Sequence, residues 1–295
     1  MRPPFISKRR GGRRSALLVR LAAGTALSGV GLLFAMVIIF AIPAFMHQGA
    51  NGVFTWSWRP YQGEFGILAM LAGSVVLAIS ALLLAWPLSL ALCCWLLTSP
   101  KSLFLAPVRG CLRLMSAIPT VVYGFAAVFL ITPLARSWLG GSGFCWFSAA
   151  VVLALLVLPT MVLILEAGLA PRLEKLCHGG LAVGLDRLEL LWFFVLPQSR
   201  NTLLAAALLG LGRAFGDTLI PLMLAGNAPQ VPLALGDSLR TLTAHMALVT
   251  ANEVGGAAYN SLFAAGALLL IITAATSLAL RRLRVGSGKL KERFP

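Results

Sequence analysis

The chain has 295 residues, 59% of them hydrophobic and only 11% charged, with a formal net charge of +15. Soluble domains carry about 25% charged residues, and here the apolar residues fall in long blocks, so the composition excludes a soluble globular domain and specifies an integral membrane protein. The positive charge flanks those blocks instead of gathering on one face, which excludes nucleic acid as a partner.

The basic N-terminal tail, 1–20, precedes an apolar block at 21–45. A signal-peptide core runs roughly 7–15 residues. This block is longer and no A-x-A site closes it, so it reads as a retained first span, and the arginine pairs at 9–10 and 13–14 do not make a twin-arginine signal. Five further blocks follow at 65–98, 112–133, 145–169, 203–225 and 259–280. Each is long enough for the hydrocarbon core, which needs about 20 residues. The second is too long for one straight span and should tilt, or kink at Pro87.

With the N-terminus inside, twenty of the twenty-four Lys and Arg residues fall in inner segments. Only Arg59, Arg136 and Arg240 are outside, and Arg213 lies within the membrane. The predicted fold is an all-α integral membrane protein of six transmembrane helices with both termini inside. Residues 21–62 make the first span and an outer loop, 63–282 the main transmembrane domain and 283–295 a basic tail. The outer segments carry Trp56, Trp58, Tyr61, Trp138 and Trp146, which fit an interfacial belt in membrane lipid. The five cysteines (93, 94, 111, 145 and 177) have no CxxC spacing and read as packing thiols, neither a metal site nor a disulfide framework.

The longest inner connection, 171–200, reads PRLEKLCHGGLAVGLDRLELLWFFVLPQSR. Leu181, Leu185, Leu188 and Trp192 recur every three or four residues, with Asp186, Arg187 and Glu189 between them. The pattern predicts a short amphipathic helix with a break near Gly184, stopped by Pro197 before the fifth span. Such a helix lies on the membrane surface or presents itself to a cytoplasmic partner, and periodicity alone leaves both open.

Arg213 and Asp217 stand four residues apart in the fifth block. A charge at the centre of a membrane helix costs about 2.5–3.5 kcal/mol on insertion scales. On a continuous helix the two are neighbours. One reading is a buried ion pair that fixes packing, with Gly212 and Gly216 as a small-xxx-small contact. The other puts the planar Arg213 guanidinium, with Thr218 nearby, on an anion pathway, Asp217 moderating its charge. Glu166 and Arg172 flank the inner end of the fourth span. Thr241, Thr243 and His245 beyond the fifth fit a gate, a contact for a binding protein or a capped short helix.

No Walker A sequence is present. GSGKL at 286–290 lacks the first glycine and the Ser/Thr. There is no H-E-x-x-H or G-x-S-x-G, and histidines 47, 178 and 245 are scattered. The chain is therefore expected to have no catalytic residues, no metal and no cofactor of its own.

Several stretches resemble permeases of ABC importers. Their inner-loop motif, Glu-Ala-Ala, three residues, Gly, nine residues, Ile, one residue, Leu-Pro, aligns on Gly184 and on Leu196-Pro197. His178, Gly179 and Gly180 fall at the Glu-Ala-Ala positions and Phe194 at the Ile. The resemblance implies that about 181–190, including Asp186 and Leu188, is the cytoplasmic coupling helix between helices 4 and 5. SAIPTVVYGF (116–125), GRAFGDTLIPLMLAGNAPQ (212–230), RTLTAH (240–245) and GEFGILAMLAGS (63–74) resemble the phosphate-specific (Pst) permeases, closer to the C-type subunit. Asp217 replaces the Glu of the family's Arg-Ala-x-Gly-Glu-Thr pattern. The resemblance implies phosphate import across the bacterial inner membrane. It also implies a cytoplasmic ATPase dimer carrying ATP-Mg, a second homologous permease and a periplasmic phosphate-binding protein. Sulfate and molybdate permeases carry a similar arginine run, so a sulfate, molybdate or tungstate permease is the alternative. An ATP-independent secondary transporter with Asp217 as proton relay is the more distant one.

Overall fold

The computed structural model describes residues 12–99, 103–252 and 256–291. Most of the N-terminal tail, Lys101 and residues 292–295 lie outside these. Helix α1 (Gly12–Val53) leads into a hairpin of β1 (Trp58–Arg59) and β2 (Glu64–Phe65), antiparallel with Trp58 opposite Phe65. Then come α2 (Leu68–Thr98), α3 (Leu105–Ala117), α4 (Thr120–Leu139) and α5 (Trp146–Ala182). A short α6 (Arg187–Glu189), a π-helical turn (Leu190–Val195) and α7 (Leu196–Gln198) connect to α8 (Arg200–Gly216) and α9 (Leu219–Leu224). Helices α10 (Leu242–Asn252) and α11 (Gly256–Lys291) complete the described chain.

Among the described residues five helices are long and apolar enough to cross a membrane: Ala16–Pro43 within α1, α2, α4, α5 and Ala258–Arg282 within α11. Three sequence expectations change here. The 112–133 block is not one helix. Its first part is α3, amphipathic with Leu105 and Leu112 buried and Leu114 exposed. Ile118 then turns extended (φ −67°, ψ 131°), because the residue before Pro119 is disfavoured in the helical region. The 203–225 block is broken at Asp217 (φ −76°, ψ 130°) into α8 and α9, which together replace the expected continuous fifth helix. Finally, α5 runs to Ala182, so the first twelve residues of the supposed connection extend a helix of about 55 Å. That exceeds the hydrocarbon core, about 30 Å thick. The GSGKL segment continues α11 as helix instead of forming a phosphate-binding loop.

Helices α2 and α5 form the centre. Alanines 78, 81 and 85 of α2 let it approach Ala149, Leu153, Leu156 and Val157 of α5. A second apolar cluster joins Cys93, Leu96, Leu165, Leu169, Leu173 and Cys177 to Leu190, Leu191 and Val195 of the π turn. A third packs Val53, Ile67 and Met70 on Leu242, Ala264 and Ala265. Cys177 thus belongs to a buried helix face, not to a polar connection, and all five cysteines are free. Helix α1 lies along α11, with Phe40 stacked on Phe263 at 5.1 Å.

The 225–241 loop caps the start of α5. Trp146 and Phe147 donate their N–H groups to the carbonyls of Asp237 and Leu235 at 2.8 and 3.0 Å, which satisfies donors that a helix start leaves orphaned. The Asp237 carboxylate shapes this loop by accepting the Leu233 and Ala234 amides, both at 2.8 Å. The Ala234 bond first, then the Leu233 bond, holds it below the usual carboxylate range. Its contribution is complete above the ordinary value, about 3.9, and is lost as pH falls through the lowered one. Normalised hydrogen-exchange protection of the 233–237 segment should therefore drop on acidification in that window, and Asp237→Asn should abolish the pH dependence.

Candidate functional site

Asp217 is buried (8% exposed) at the point where α8 stops. Its Oδ2 accepts the Ile220 N–H at 2.8 Å, so the side chain caps the start of α9. Pro221 in the first turn of α9 needs no hydrogen bond from its own nitrogen. Arg213 sits one turn before the break. Among the described residues the one ion pair within 4.0 Å is Arg109–Glu166, so Arg213 and Asp217 are not bonded to each other. The break is the reason: Asp217 leaves the face that a continuous helix would share with Arg213. Among the described residues the Arg213 Nε is buried with no hydrogen-bond partner, and Tyr123 of α4 packs on the apolar cluster that holds the neighbouring Ala214 and Phe215.

Helix α10 packs against this break. Thr243 Oγ1 donates to the Asp217 carbonyl at 2.9 Å and lies 3.0 Å from Thr241 Oγ1. Thr241 accepts the Ala244 N–H at 3.2 Å and so caps α10, which realises the capped short helix among the alternatives for this stretch. Ser74 of α2 accepts the Leu242 N–H at 2.8 Å. Arg240 donates from Nε to the Asn227 carbonyl at 2.8 Å. His245 is fully buried, its ring edge-on to Trp58 at 4.3 Å, and neither ring nitrogen has a partner.

Close packing around the break uses glycines, but not the expected pair. A β-carbon at Gly212 or Gly216 would meet nothing within 4 Å. One at Gly210 would lie 2.8 Å from the Met161 sulfur, one at Gly124 2.6 Å from the Met223 sulfur, and one at Gly168 would strike Thr202. At Gly73 it would strike the backbone carbonyl of Arg240, which cannot rotate away. Overpacking of this kind costs about 1–3 kcal/mol. Gly73→Ala should therefore lower the melting temperature of the detergent-solubilised protein, whereas Gly212→Ala should not.

The second set of predicted residues lies on the 178–198 connection, away from the break. His178 and Gly179 are exposed on the last turns of α5. Gly180 is needed where it is, because a β-carbon there would strike the Leu190 side chain. The helix ends in a Schellman motif: Leu185 N–H bonds to Gly180 O at 3.0 Å and Gly184 N–H to Leu181 O at 3.2 Å, with Gly184 at φ +88°. Asp186 and Glu189 then form a capping box around α6. Pro197 does not stop the helix; it sits in the first turn of α7 after the wide π turn, and the break comes at Ser199 (φ −104°, ψ 22°). Three of the four residues of the predicted stripe face outward, Leu181, Leu188 and Trp192 all more than half exposed, whereas Leu185 is half-buried against the cluster of Leu190, Leu191 and Val195. Arg172 ties this connection to α5, donating from Nη1 to Gln198 O at 3.0 Å and Ser199 Oγ at 2.6 Å.

The sequence reading missed Ser74, Gly73 and Tyr123 as members of the site. All three lie inside motifs it singled out, but their partners are remote in the chain.

The family profile described as "Binding-protein-dependent transport system inner membrane component" matches residues 89–284, which include both residue sets. The chain is similar to the phosphate transport system permease protein PstC of Xylella fastidiosa strain 9a5c, 29% identical, covering 77% of this chain and 76% of that one. It is also similar to the PstC of Pasteurella multocida, 26% identical over 81% of each chain. A third relative is the probable ABC transporter permease protein YqgH of Bacillus subtilis, 28% identical over 74% of this chain and 72% of that one. With its several apolar helices the protein is a multi-pass component of the bacterial inner membrane. The matched profile covers well over half of the chain, which is thus a member of the binding-protein-dependent transport system inner membrane component family.

Proposed function

We propose that this chain is the permease subunit of an ABC importer that moves inorganic phosphate, and that Arg213 stands on the anion path. The likeness to PstC proteins over about three quarters of the chain supports the substrate. The observation that carries the site is Arg213, whose buried Nε has no hydrogen-bond partner and whose guanidinium has no ion pair among the described residues, although it sits in an apolar stretch at a helix break. A planar cation left unbonded suits tetrahedral oxyanions. Asp217 serves the pathway by holding the break open as the cap of α9, and Thr218 adjoins it.

In this reading six segments cross the membrane, α8 and α9 together supplying the fifth, with both termini inside and α3 lying along the inner surface. The 181–192 connection is the coupling segment. Its outward Leu181, Leu188 and Trp192 meet the ATPase dimer, which holds the ATP-Mg, and this chain hydrolyses nothing. A second homologous permease completes the pore and a periplasmic binding protein delivers the anion.

Labelled-phosphate uptake by the reconstituted complex, with sulfate, molybdate and tungstate as competitors, tests the substrate. Preferential competition by another oxyanion would reassign it. Uptake that survives ATP depletion but collapses with a protonophore would replace the ABC mechanism with secondary transport.

A further inference from the structure

Beside the break, between α9, α10 and α11, lies an open cavity of about 470 Å³ lined by Gly216, Thr218, Thr243, Thr250 and the apolar Met246 and Leu269. A water occupies roughly 30 Å³ in the liquid, so the space accommodates a tetrahedral oxyanion together with several waters. Non-helical backbone at membrane depth is tolerated where it is buried in protein or faces water. The carbonyls freed where α8 ends therefore favour a hydrated chamber over a lipid-filled one.

Three hydroxyls reach this cavity, and their protons can be accounted for. Thr243 gives its proton to the Asp217 carbonyl, and Thr250 gives its own to the Met246 carbonyl at 2.8 Å. Thr218 stands at the N-cap position of α9 without making the side-chain cap bond, because Asp217 already holds the Ile220 amide. Among the described residues the Thr218 hydroxyl is thus the donor on this wall with no internal acceptor. Gly216 contributes room, since a β-carbon there would meet no atom within 4 Å.

We propose that this chamber is a transit site for the hydrated oxyanion and that Thr218 is its specificity-determining neutral donor. The inference rests on the oxyanion-transport reading above and deepens it. A neutral hydroxyl holds an anion more weakly than a guanidinium does, so an anion leaving Arg213 meets a partner that orients it without trapping it. The hydroxyl also discriminates by protonation: it accepts from the P–O–H of hydrogen phosphate, a donor that fully deprotonated sulfate lacks.

The test is labelled-phosphate uptake by the intact complex carrying Thr218→Val, Thr218→Ser, Thr276→Val or Gly216→Leu, with ATPase copurification as the measure of assembly. Thr218→Val should raise the KM for phosphate by about threefold to tenfold, the effect expected for one lost hydrogen bond, and narrow the preference over sulfate. Thr218→Ser should restore both, the bulkier Gly216→Leu should slow uptake by narrowing the chamber, and Thr276→Val, at a threonine of α11 outside the chamber lining, should match wild type. Unchanged kinetics in Thr218→Val, or an equal defect in Thr276→Val, would overturn the proposal. If wild type carries a different oxyanion, the phosphate reading fails, and the same four variants measured with that anion still decide the role of Thr218.

Discussion

Arg213→Ala is expected to reduce phosphate uptake by about tenfold or more while the complex assembles at normal yield. The two halves of that expectation have different origins. Among the described residues the buried Nε has no hydrogen-bond partner and the guanidinium no ion pair, so its removal breaks neither kind of bond there. Its bond to a passing anion would be charge-assisted, worth about 1.5–3 kcal/mol, and tenfold corresponds to about 1.4 kcal/mol. Arg213→Lys should fall between the two, because an ammonium keeps the charge but loses the planar fork. Asp217 follows another logic. As a cap it should tolerate Asn, which still offers an oxygen to the Ile220 amide, better than Ala, which forfeits about 0.5–2 kcal/mol of capping. If an Arg213→Ala, Asp217→Ala double variant took up phosphate normally, the pathway role would be lost.

The second large effect is expected at Gly184. Its φ of +88° is needed for α5 to stop and for α6 to leave in a new direction. A side chain in left-handed conformation costs roughly 1–2 kcal/mol, and a β-branched one is a poor fit there. Gly184→Val should therefore displace the exposed Leu188 and Trp192 relative to α5 without opening the core, because a β-carbon at 184 meets nothing. The expected phenotype is ATP hydrolysis that continues but no longer responds to the loaded binding protein, with uptake near background. ATPase activity and uptake measured on one preparation check this. Normal coupling in the variant would remove the docking assignment.

The contrast between the two sites explains what could be read from residues alone. The turn at Gly184 was legible because a glycine, a flanking 3.6-residue pattern and an Asp–Glu capping spacing all signal locally. The break at Asp217 has local signals too: an aspartate three residues before Ile220, then Pro221, is a helix start. Those signals sit inside an unbroken apolar run, and hydropathy averaged over 20 residues hides them. Pro119 was masked in the same way between α3 and α4. The contacts that assemble the site are different in kind. Thr243 reaches Asp217 across 26 residues and Ser74 reaches Leu242 across 168. Neither pairing leaves a mark in a single sequence, which is why the 240–245 stretch kept three readings until the structure joined it to the break.

Helix α5 gives the molecule a mechanical ratio. It is continuous from the capped start at Trp146 to the turn at Ala182 and lies against Thr202 of α8 at Gly168. From that contact about 33 Å of helix extends toward Trp146 and about 21 Å toward Ala182. If Gly168 serves as fulcrum and the helix stays straight through Pro159 and Pro171, α5 is a lever of unequal arms: a sideways push of 1 Å at the short arm would swing the far end by about 1.6 Å. The long arm ends on the loop that leads, through Arg240 and Thr241, to the threonine holding Asp217. A small displacement at one surface would arrive at the other enlarged, with correspondingly less force, and at the hinge of the broken helix.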